Sequence, residues 1–332
     1  MEKVLVTGGG GFLGTATCRL LHQAGFKVIS YSRKAYPHLE AMGIETVQAD
    51  ITDQEALKEV ISSHNIKTVF HIAAKAGVWG SYDSYYQPNV AGTMAVVKVC
   101  QDLGVRNLIY TSTPSVTFAG KDQDGVDESA PYPETFINHY QSTKAQAEKI
   151  VLAANSPKLR TIALRPHLIW GPGDTQLVPR IVNLAQKKKL KLVGPRGKLV
   201  DAVYIDNAAA AQLAALGAMD KPEATGKPYF ITNHEPWPLE DIINGILKAH
   251  DMDSIKARVP EKVAYTAGAV LEGLHRVFLP RREPAMTRFV ARQLSTAHWF
   301  DPENSKRQLG YIPKVSMDEG MEKLRQGLCK NA

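Results

Sequence analysis

Short apolar runs alternate with stretches of helical periodicity along the first two thirds of the chain. The run VLV at residues 4–6 is typical of a buried strand, and residues 15–24 place apolar side chains on one helical face before Gly25. Further strands are predicted at residues 27–31, 45–49, 68–71, 107–110 and 160–164, with helices between them, such as 53–64 and 89–103. This alternation predicts an α/β fold with a Rossmann-type, doubly wound parallel sheet.

The alternation breaks at Gly171, where the turn-rich sequences GPGD and VGPRGK follow. One further strand–helix unit, at residues 199–220, is expected to return to the main domain. From about Lys221 the sequence is rich in helical segments and prolines. We therefore predict a main domain over residues 1–170 and 199–220, and a smaller domain over residues 171–198 and 221–332.

Charge and cysteine usage narrow the function classes. The 332 residues carry a formal net charge of +7, which permits an anionic ligand, but the densest basic run, at 187–191, lacks the aromatics of a nucleic-acid site. No nucleic-acid partner is expected.

The widely spaced Cys18, Cys100 and Cys329 predict neither a disulfide framework nor a metal site. A strand beginning almost at Met1 leaves no room for a signal peptide, which favours the cytoplasm.

Five glycines crowd the sequence TGGGGFLG at residues 7–14. Glycine inside an element costs about 0.5–1 kcal/mol relative to alanine, so a bare backbone must be needed there. The loop follows a strand and precedes a helix, where backbone N–H groups can hold a pyrophosphate. Gly9, Gly11 and Gly14 fit G-x-G-x-x-G, and Gly8, Gly11 and Gly14 fit T-G-x-x-G-x-x-G. We predict a dinucleotide site in the main domain; the alternative is a glycine-rich turn without a ligand.

Tyr140 and Lys144 stand four residues apart in HYQSTKAQAEKIV, which places them on one face of a predicted helix. A nearby ammonium favours the phenolate and lowers the pKa of the phenol, so such a tyrosine can transfer a proton near neutral pH. The strand at 107–110 ends in the hydroxyl-rich sequence TSTPS at 111–115. Because ligands bind at the carboxyl ends of parallel strands, we expect these groups to converge beside the dinucleotide. An ordinary surface pair is the alternative.

Taken together, these motifs resemble those of the extended short-chain dehydrogenase/reductases. The chain matches TGxxGxxG at 7–14, Asp-Ile at Asp50 and Ile51, HxAA at 71–74, NVxGT at 89–93 and RPxx[IV][WY]GP at 165–172. The hydroxyl and Tyr-x-x-x-Lys set falls at Thr113, Tyr140 and Lys144. The motifs run in the family's order from residue 4 to about residue 207, so the set is specific although each motif alone is weak.

The resemblance implies a catalytic role for three residues. Tyr140 would protonate a ketone oxygen, and Lys144 would lower the pKa of Tyr140 and bind the nicotinamide ribose. Thr113 would hydrogen-bond the carbonyl, in a position where the family usually has serine. Ser112 and Ser115 are the alternatives to Thr113.

The resemblance also implies a set of cofactor contacts. The predicted residues are Gly8, Gly11, Phe12, Leu13, Ser32, Arg33, Asp50, Ile51, Ala73, Ala74, Lys75, Tyr140, Lys144, Pro166 and His167. Pro166 and His167 would line the nicotinamide pocket. His167 is expected to be a wall residue hydrogen-bonded to backbone rather than a catalytic acid.

The second predicted strand favours NADP(H) over NAD(H). In an NAD-binding βαβ unit an acidic residue ends this strand and binds the ribose 2′-hydroxyl. Residues 27–38 contain no acid; Ser32 occupies the expected position and Arg33 follows it. An arginine can pair with a 2′-phosphate that a carboxylate would repel. The alternative is that Arg33 is merely exposed.

Within the extended family the chain resembles the 3β-hydroxysteroid dehydrogenase branch, and within that branch the bacterial 2-alkyl-3-oxoalkanoate reductases. The stretches that carry this resemblance are LRPHLIWGPGDTQLVPRIV, LVDAVYIDNAAAAQL and STAHWFDPENSKRQLGYIPKVSMDEGM. It implies reduction of a long-chain 2-alkyl-3-oxo (β-keto) acid to the 3-hydroxy acid in olefin biosynthesis. Nucleotide-sugar epimerases and dehydratases typically have an arginine where this chain has Val200, so a buried diphosphate would lack its cation.

Three other functions stay open at this point: a sterol dehydrogenase, a nucleotide-sugar enzyme, and a regulator that senses the dinucleotide without catalysis. Such regulators generally lose the tyrosine or the lysine.

The apolar segment 263–280 contains Glu272, His275 and Arg276 and predicts an amphipathic helix rather than a membrane span. It would form a lid over acyl chains, a contact with a membrane or partner enzyme, or a core helix. Helices 92–103 and 140–154 match the family's four-helix interface, so we predict a homodimer.

Overall fold

The computed structural model describes residues 2–329 as fifteen strands and twelve α-helices. The strands are β1 (Lys3–Thr7), β2 (Lys27–Ser32), β3 (Glu45–Gln48), β4 (Thr68–His71), β5 (Asn107–Thr111), β6 (Gln123–Val126), β7 (Arg160–Pro166), β8 (Ile169–Trp170), β9 (Leu192–Val193), β10 (Leu199–Val200), β11 (Val203–Tyr204), β12 (Lys227–Ile231), β13 (Trp237–Pro238), β14 (Arg258–Val259) and β15 (His298–Phe300).

The α-helices are α1 (Phe12–Gln23), α2 (Pro37–Glu40), α3 (Gln54–His64), α4 (Tyr82–Tyr86), α5 (Gly92–Asp102), α6 (His139–Ala153), α7 (Leu177–Gln186), α8 (Ile205–Gly217), α9 (Leu239–Ala249), α10 (Glu261–Phe278), α11 (Arg288–Ser295) and α12 (Met317–Cys329). Two π-helical turns, Gln87–Ala91 and Ser305–Leu309, and a 3₁₀ turn, Pro114–Thr117, complete the set.

Seven strands form one parallel sheet in the order β12-β7-β5-β4-β1-β2-β3. This confirms the predicted Rossmann-type fold. Side chains alternate across the sheet, so Val4 and Val6 of β1 enter the apolar core on the side of α1 and α8. Leu5 enters the core on the other side, which is covered by α3, α5 and α6. Both faces are therefore buried, as a parallel sheet requires.

The chain outside this sheet forms small sheets of its own. β13, β10, β15 and β6 make a four-stranded sheet, while β8 pairs with β11 and β9 with β14. Two segments differ from the predicted domain boundaries. β12, at Lys227–Ile231, lies beside β7 in the main sheet, so assigning all of 221–332 to the smaller domain is wrong. β6 pairs with β15, although it precedes residue 170. The rest of the predicted division stays a prediction.

The predicted helix over 89–103 begins differently from expectation. Residues Gln87–Ala91 form a π-helical turn, and regular α-helix starts only at Gly92. Pro88 lies in this turn and has no N–H for the α-helical hydrogen-bond ladder, which accounts for the irregular start.

Helix α10 presents its larger apolar side chains to solvent. Its buried positions are Ala264, Gly268 and Glu272, one turn apart, whereas Val277 and Phe278 are each 72% exposed. Of the alternatives considered for the 263–280 segment, the core helix therefore does not fit. Within residues 2–329, no helix combines the length and the apolar composition needed to cross a bilayer.

Candidate active site

A single long cleft runs along the carboxyl ends of the main sheet. Its volume is about 1070 Å³, and its walls come from both the glycine loop and the segments after β7. The carboxyl end of a parallel sheet is where such folds bind their ligands, because loops and helix N-termini converge there. The cleft has a glycine-lined half and an apolar half, which meet at Tyr140.

The glycine loop is shaped so that a backbone surface faces the cleft. Gly8 has a φ of +72°, and a Cβ there would lie 2.8 Å from the backbone of Ala73. A Cβ on Gly14 would lie 2.1 Å from the carbonyl oxygen of Gly8. Any side chain at either position would push the loop, β4 and α1 apart. The N-cap of α1 is Gly11, which offers no capping side chain. The first-turn N–H groups of α1 are thus available to an anion, as a pyrophosphate site requires.

The far end of this half carries positive charge. Ser32, Arg33 and Lys34 line the cleft after β2. The Ser32 hydroxyl lies 3.5 Å from the amide nitrogen of Gly10, so it borders the glycine loop. Arg33 is exposed, and its guanidinium has no hydrogen bond or ion pair to any residue in 2–329. A cation whose guanidinium donates no hydrogen bond at this point suits a phosphate.

Thr113, Tyr140 and Lys144 all line the cleft where its two halves meet. Tyr140 and Lys144 lie on α6, and Thr113 follows β5. The Lys144 ammonium donates a hydrogen bond of 2.6 Å to the carbonyl oxygen of Thr111 and sits 4.2 Å above the Tyr110 ring. The Thr113 hydroxyl bonds the Ser115 hydroxyl at 3.2 Å. The structure therefore brings the predicted catalytic set together.

Burial dominates the ionisation of this set. It lowers the pKa of Lys144 to about 7, and the negative charge of Glu148, one turn later on α6, opposes that change. Burial also raises the pKa of Tyr140, against the effect of a hydrogen bond with Thr113. Our expectation that Lys144 would leave Tyr140 with a lowered pKa is wrong for the structure described here. A neutral phenol at neutral pH is nevertheless the form that can donate a proton.

A buried hydrogen-bond network links the ends of β1 and β4 to the start of α5. The Thr93 hydroxyl donates to the Asn89 carbonyl, so it accepts from Nε2 of His71 at 3.0 Å. Nδ1 of His71 then accepts from Thr7 at 2.7 Å. Burial lowers the pKa of His71 to about 3, which keeps the ring neutral in this arrangement. The network holds the ends of β1 and β4, and with them Ala73, against the glycine loop.

Most of the predicted cofactor contacts line the cleft, and three do not. Those that do are Gly8, Gly11, Phe12, Leu13, Ser32, Arg33, Ile51, Ala73, Ala74, Tyr140, Lys144 and Pro166. The Asp50 carboxylate instead accepts hydrogen bonds from Thr52, which lower its pKa. The Lys75 ammonium turns to Ser84 at 2.7 Å. Cofactor roles for Asp50 and Lys75 would therefore need a side-chain movement or a backbone contact.

His167 differs from its expected environment. Its Nε2 bonds Nδ1 of His298 at 2.7 Å, and Nε2 of His298 donates to the Gln293 carbonyl. The predicted hydrogen bond to backbone is made by the amide N–H of His167, which donates to the Ile231 carbonyl at 3.1 Å, while the ring bonds a second histidine. His298, not His167, lines the cleft. This pair connects the end of β7 to α11, on the wall of the apolar half.

The apolar half is lined mainly by aliphatic and aromatic side chains. They are Leu177, Ile181, Leu184, Leu190, Leu192, Val193, Ile242, Ile243, Phe289, Val290 and Leu294. Its cations are mostly neutralised: Arg180 pairs with Glu283, Lys198 with Asp122 and Arg258 with Glu240. Lys191 is the remaining cation on this wall. Such a surface favours a long apolar ligand over a doubly charged one.

Several cleft residues were not found from the sequence. Lys34 could have been predicted, because it directly follows Arg33 and is a second cation at the end of β2. Tyr36 also lines the cleft, and its ring covers Gly10 so closely that a Cβ there would lie 2.0 Å from it. Nothing in the neighbouring sequence could have identified Gln293 and His298 as cleft residues.

No cluster of His, Cys, Asp or Glu in residues 2–329 could hold a metal ion.

Comparison with known sequences gives full-length matches. A family model described as the 3-beta hydroxysteroid dehydrogenase/isomerase family matches residues 5–260. The chain is 48% identical to a 2-alkyl-3-oxoalkanoate reductase of Shewanella oneidensis, covering 99% of this chain and 87% of the relative. It is 46% identical to a 2-alkyl-3-oxoalkanoate reductase of Stenotrophomonas maltophilia, covering 97% and 98%.

More distant matches show the breadth of the relationship. A decarboxylating sterol-4-alpha-carboxylate 3-dehydrogenase of Mus musculus is 32% identical, covering 98% of this chain and 90% of the relative. Among solved structures, the UDP-glucuronic acid 4-epimerase of Bacillus cereus in complex with NAD superposes with a TM-score of 0.76 at 21% identity, covering 99% of both chains. At that identity the superposition supports the fold alone.

Proposed function

The chain belongs to the 3-beta hydroxysteroid dehydrogenase/isomerase family and is an oxidoreductase acting on the CH–OH/C=O couple, and from this premise we propose that it reduces a long-chain 2-alkyl-3-oxo acid to the 3-hydroxy acid with NADPH. The observation that carries the proposal is the position of Tyr140. Its phenol lies where a glycine-lined half that fits a dinucleotide meets an apolar half that fits alkyl chains.

The residues of the junction supply the proton chemistry of a ketone reduction. When bound, the dinucleotide supplies the hydride for the carbonyl carbon. Tyr140 donates its phenolic proton to the carbonyl oxygen, and its raised pKa keeps that proton available at neutral pH. The Thr113 hydroxyl hydrogen-bonds the same oxygen and orients it. The Lys144 ammonium lies in the same buried region and stabilises the phenolate that remains.

The apolar half separates the candidate substrates. A nucleotide sugar would bring two phosphates to a wall whose cations Arg180, Lys198 and Arg258 already have carboxylate partners. Val200, where nucleotide-sugar enzymes typically have an arginine, is fully buried in the four-stranded sheet. Alkyl chains need no counter-charge and gain from burial. A sterol is the second candidate, favoured by the sterol dehydrogenase relatives.

A direct assay tests the proposed reaction. Purified protein with NADPH should consume the cofactor when given a long-chain 2-alkyl-3-oxo acid, followed by absorbance of the reduced nicotinamide. NADPH consumption with a 3-ketosteroid, and none with the keto acid, would favour the sterol alternative. A regulator without catalysis would bind NADPH and consume none.

We expect NADPH to bind more tightly than NADH, and Arg33→Ala to weaken NADPH binding by about 10- to 100-fold, because a charged hydrogen bond to the 2′-phosphate is lost. Fluorescence titration of both reduced cofactors measures the effect. NADH affinity should be unchanged, and so should NADPH affinity in the control variant Arg307→Ala, a surface arginine that does not line the cleft. Equal losses for NADPH and NADH would contradict a 2′-phosphate contact.

The homodimer is proposed to form through α5 and α6. Met94 on α5 is 50% exposed, so its side chain is available to a partner that packs on this face. Light scattering at micromolar concentration should therefore give twice the chain mass of 36.4 kDa. Met94→Arg should shift the protein toward the monomer, because two added charges would face each other across a twofold interface. A monomeric wild-type protein would refute the dimer. The cytoplasmic location stays a prediction.

A further inference from the structure

Helix α10 carries an exposed apolar stripe that the proposed reaction does not explain. We define the α10 outer face as Val263, Val270, Leu274, Val277 and Phe278, which are between 49% and 72% exposed. The outward positions between them are small, at Thr266, Ala267, Ala269 and Gly273. The face is continuous over the length of the helix, and Leu279, 43% exposed, extends it. A stripe of this kind marks a contact surface.

The charges around the α10 outer face are of one sign. The acids of this segment are bound within the protein: Glu261 pairs with Arg292, Glu272 with Arg288 and Glu283 with Arg180. Exposed cations stand at both ends of the stripe, and no residue of the described chain forms an ion pair with them: Lys262, Arg276, Arg281 and Arg282. An apolar stripe with unpaired cations at its ends complements an anionic lipid surface, which offers acyl chains and phosphates together.

The segment that follows α10 contributes to the wall of the cleft. The Trp79 indole donates a hydrogen bond of 3.0 Å to the carbonyl oxygen of Pro280, just after α10. Three residues later Glu283 pairs with Arg180 at 2.8 Å, and both of these residues line the cleft. Residues 280–283 therefore span from the loop after β4 to α7. The α10 outer face is therefore followed within a few residues by Glu283, which lines the cleft.

We propose that the α10 outer face docks the protein on an anionic bilayer surface, so that a lipid-like substrate enters the apolar half from the membrane. The docking itself is independent of the proposed reaction, while its purpose rests on that function. The helix lies on the surface and does not cross it. A second copy of the chain is a poorer occupant, because pairing two such faces would bring the unpaired arginines of both copies together.

Vesicle binding of the full-length protein tests the docking. The protein should cosediment with phosphatidylcholine vesicles that contain phosphatidylglycerol, and less with pure phosphatidylcholine, and raised salt should weaken the binding. Arg281→Gln with Arg282→Gln should reduce the partition coefficient about 25-fold, at about 1 kcal/mol per cation. Val277→Ser with Phe278→Ser should reduce it at least about tenfold. Ile312→Ser is the matched control, since Ile312 is 69% exposed and lies outside α10.

Each outcome bears on the proposal. Vesicle binding that is absent, indifferent to phosphatidylglycerol, or equally reduced by Ile312→Ser would overturn it. If Val277→Ser with Phe278→Ser left vesicle binding intact and dissociated a dimer in light scattering, the face would be a protein interface instead. Thermal unfolding and NADPH binding should match those of the wild type in every variant. Reduction of a short-chain keto acid without vesicles reports on the proposed reaction separately, so the two failures are distinguishable.

Discussion

Replacement of Tyr140 by phenylalanine is expected to lower kcat for keto acid reduction by roughly 10²–10⁴-fold, the usual contribution of a positioned proton donor. The phenol lines the cleft at the junction of its two halves, and desolvation raises its pKa, so it holds a transferable proton at neutral pH. Phenylalanine keeps the ring and removes only the hydroxyl. NADPH affinity should therefore change little, and steady-state rates with fluorescence titration would separate catalysis from binding.

A matched variant isolates this effect from the loss of any phenol. Tyr82→Phe also removes a hydroxyl, one that is exposed and hydrogen-bonded to Gln146, and it should retain the wild-type rate. An undiminished rate in Tyr140→Phe would refute the catalytic assignment. Thr113→Val and Ser112→Ala then decide which hydroxyl orients the carbonyl, since we expect the larger loss at Thr113, the hydroxyl that contacts Tyr140.

The dinucleotide half of the site could be predicted from the sequence because its signals are local. The tight approach of Gly14 to Gly8 is encoded within eight residues, and the loop directly follows a strand and precedes a helix. Ser32 and Arg33 occupy a position fixed by the end of β2. Rossmann-type topology then places the ends of β1, β2, β4 and β5 at one edge, so contacts distant in sequence could be inferred as well.

The apolar half could not be predicted residue by residue, because its walls come from segments that no short spacing connects. Ile181 on α7, Ile243 on α9 and Phe289 on α11 face one cleft only after the chain has folded. The bond between His167 and His298 joins residues 131 positions apart and has no signature in either local sequence. β12 was assigned to the wrong domain for a related reason. Its partner strand, β7, lies more than sixty residues earlier in the chain.

The ionisation of Tyr140 shows a second limit of sequence reasoning. The four-residue spacing correctly placed Lys144 on the same helix, but the spacing carries no information about burial. In the structure Lys144 donates to Thr111, and desolvation acts on both the ammonium and the phenol. The direction of the Tyr140 shift therefore depends on depth in the fold, which a motif does not encode.

The apolar half also predicts how the rate depends on the alkyl chains. Each methylene removed from water contributes about 0.8 kcal/mol, which corresponds to about a fourfold gain in kcat/KM if the contact is kept in the transition state. The specificity constant should therefore climb by about fourfold per added methylene until the cleft is full. A series of 3-hydroxy acids of increasing chain length, oxidised with NADP⁺ beside a 3β-hydroxysteroid, measures this dependence.

A substitution inside the cleft locates the chains that produce the gain. Ile243 is buried on α9 and lines the apolar half, so Ile243→Phe adds volume where we expect the distal methylenes to lie. It should lower kcat/KM for the longest acids and leave the shortest ones unaffected, because short chains do not reach that wall. A flat response to chain length, with good turnover of the steroid, would assign the cleft to a rigid ring system instead. Sensitivity to Ile243→Phe at every chain length would mean that this residue lies near the carbonyl rather than at the far end of the alkyl chains.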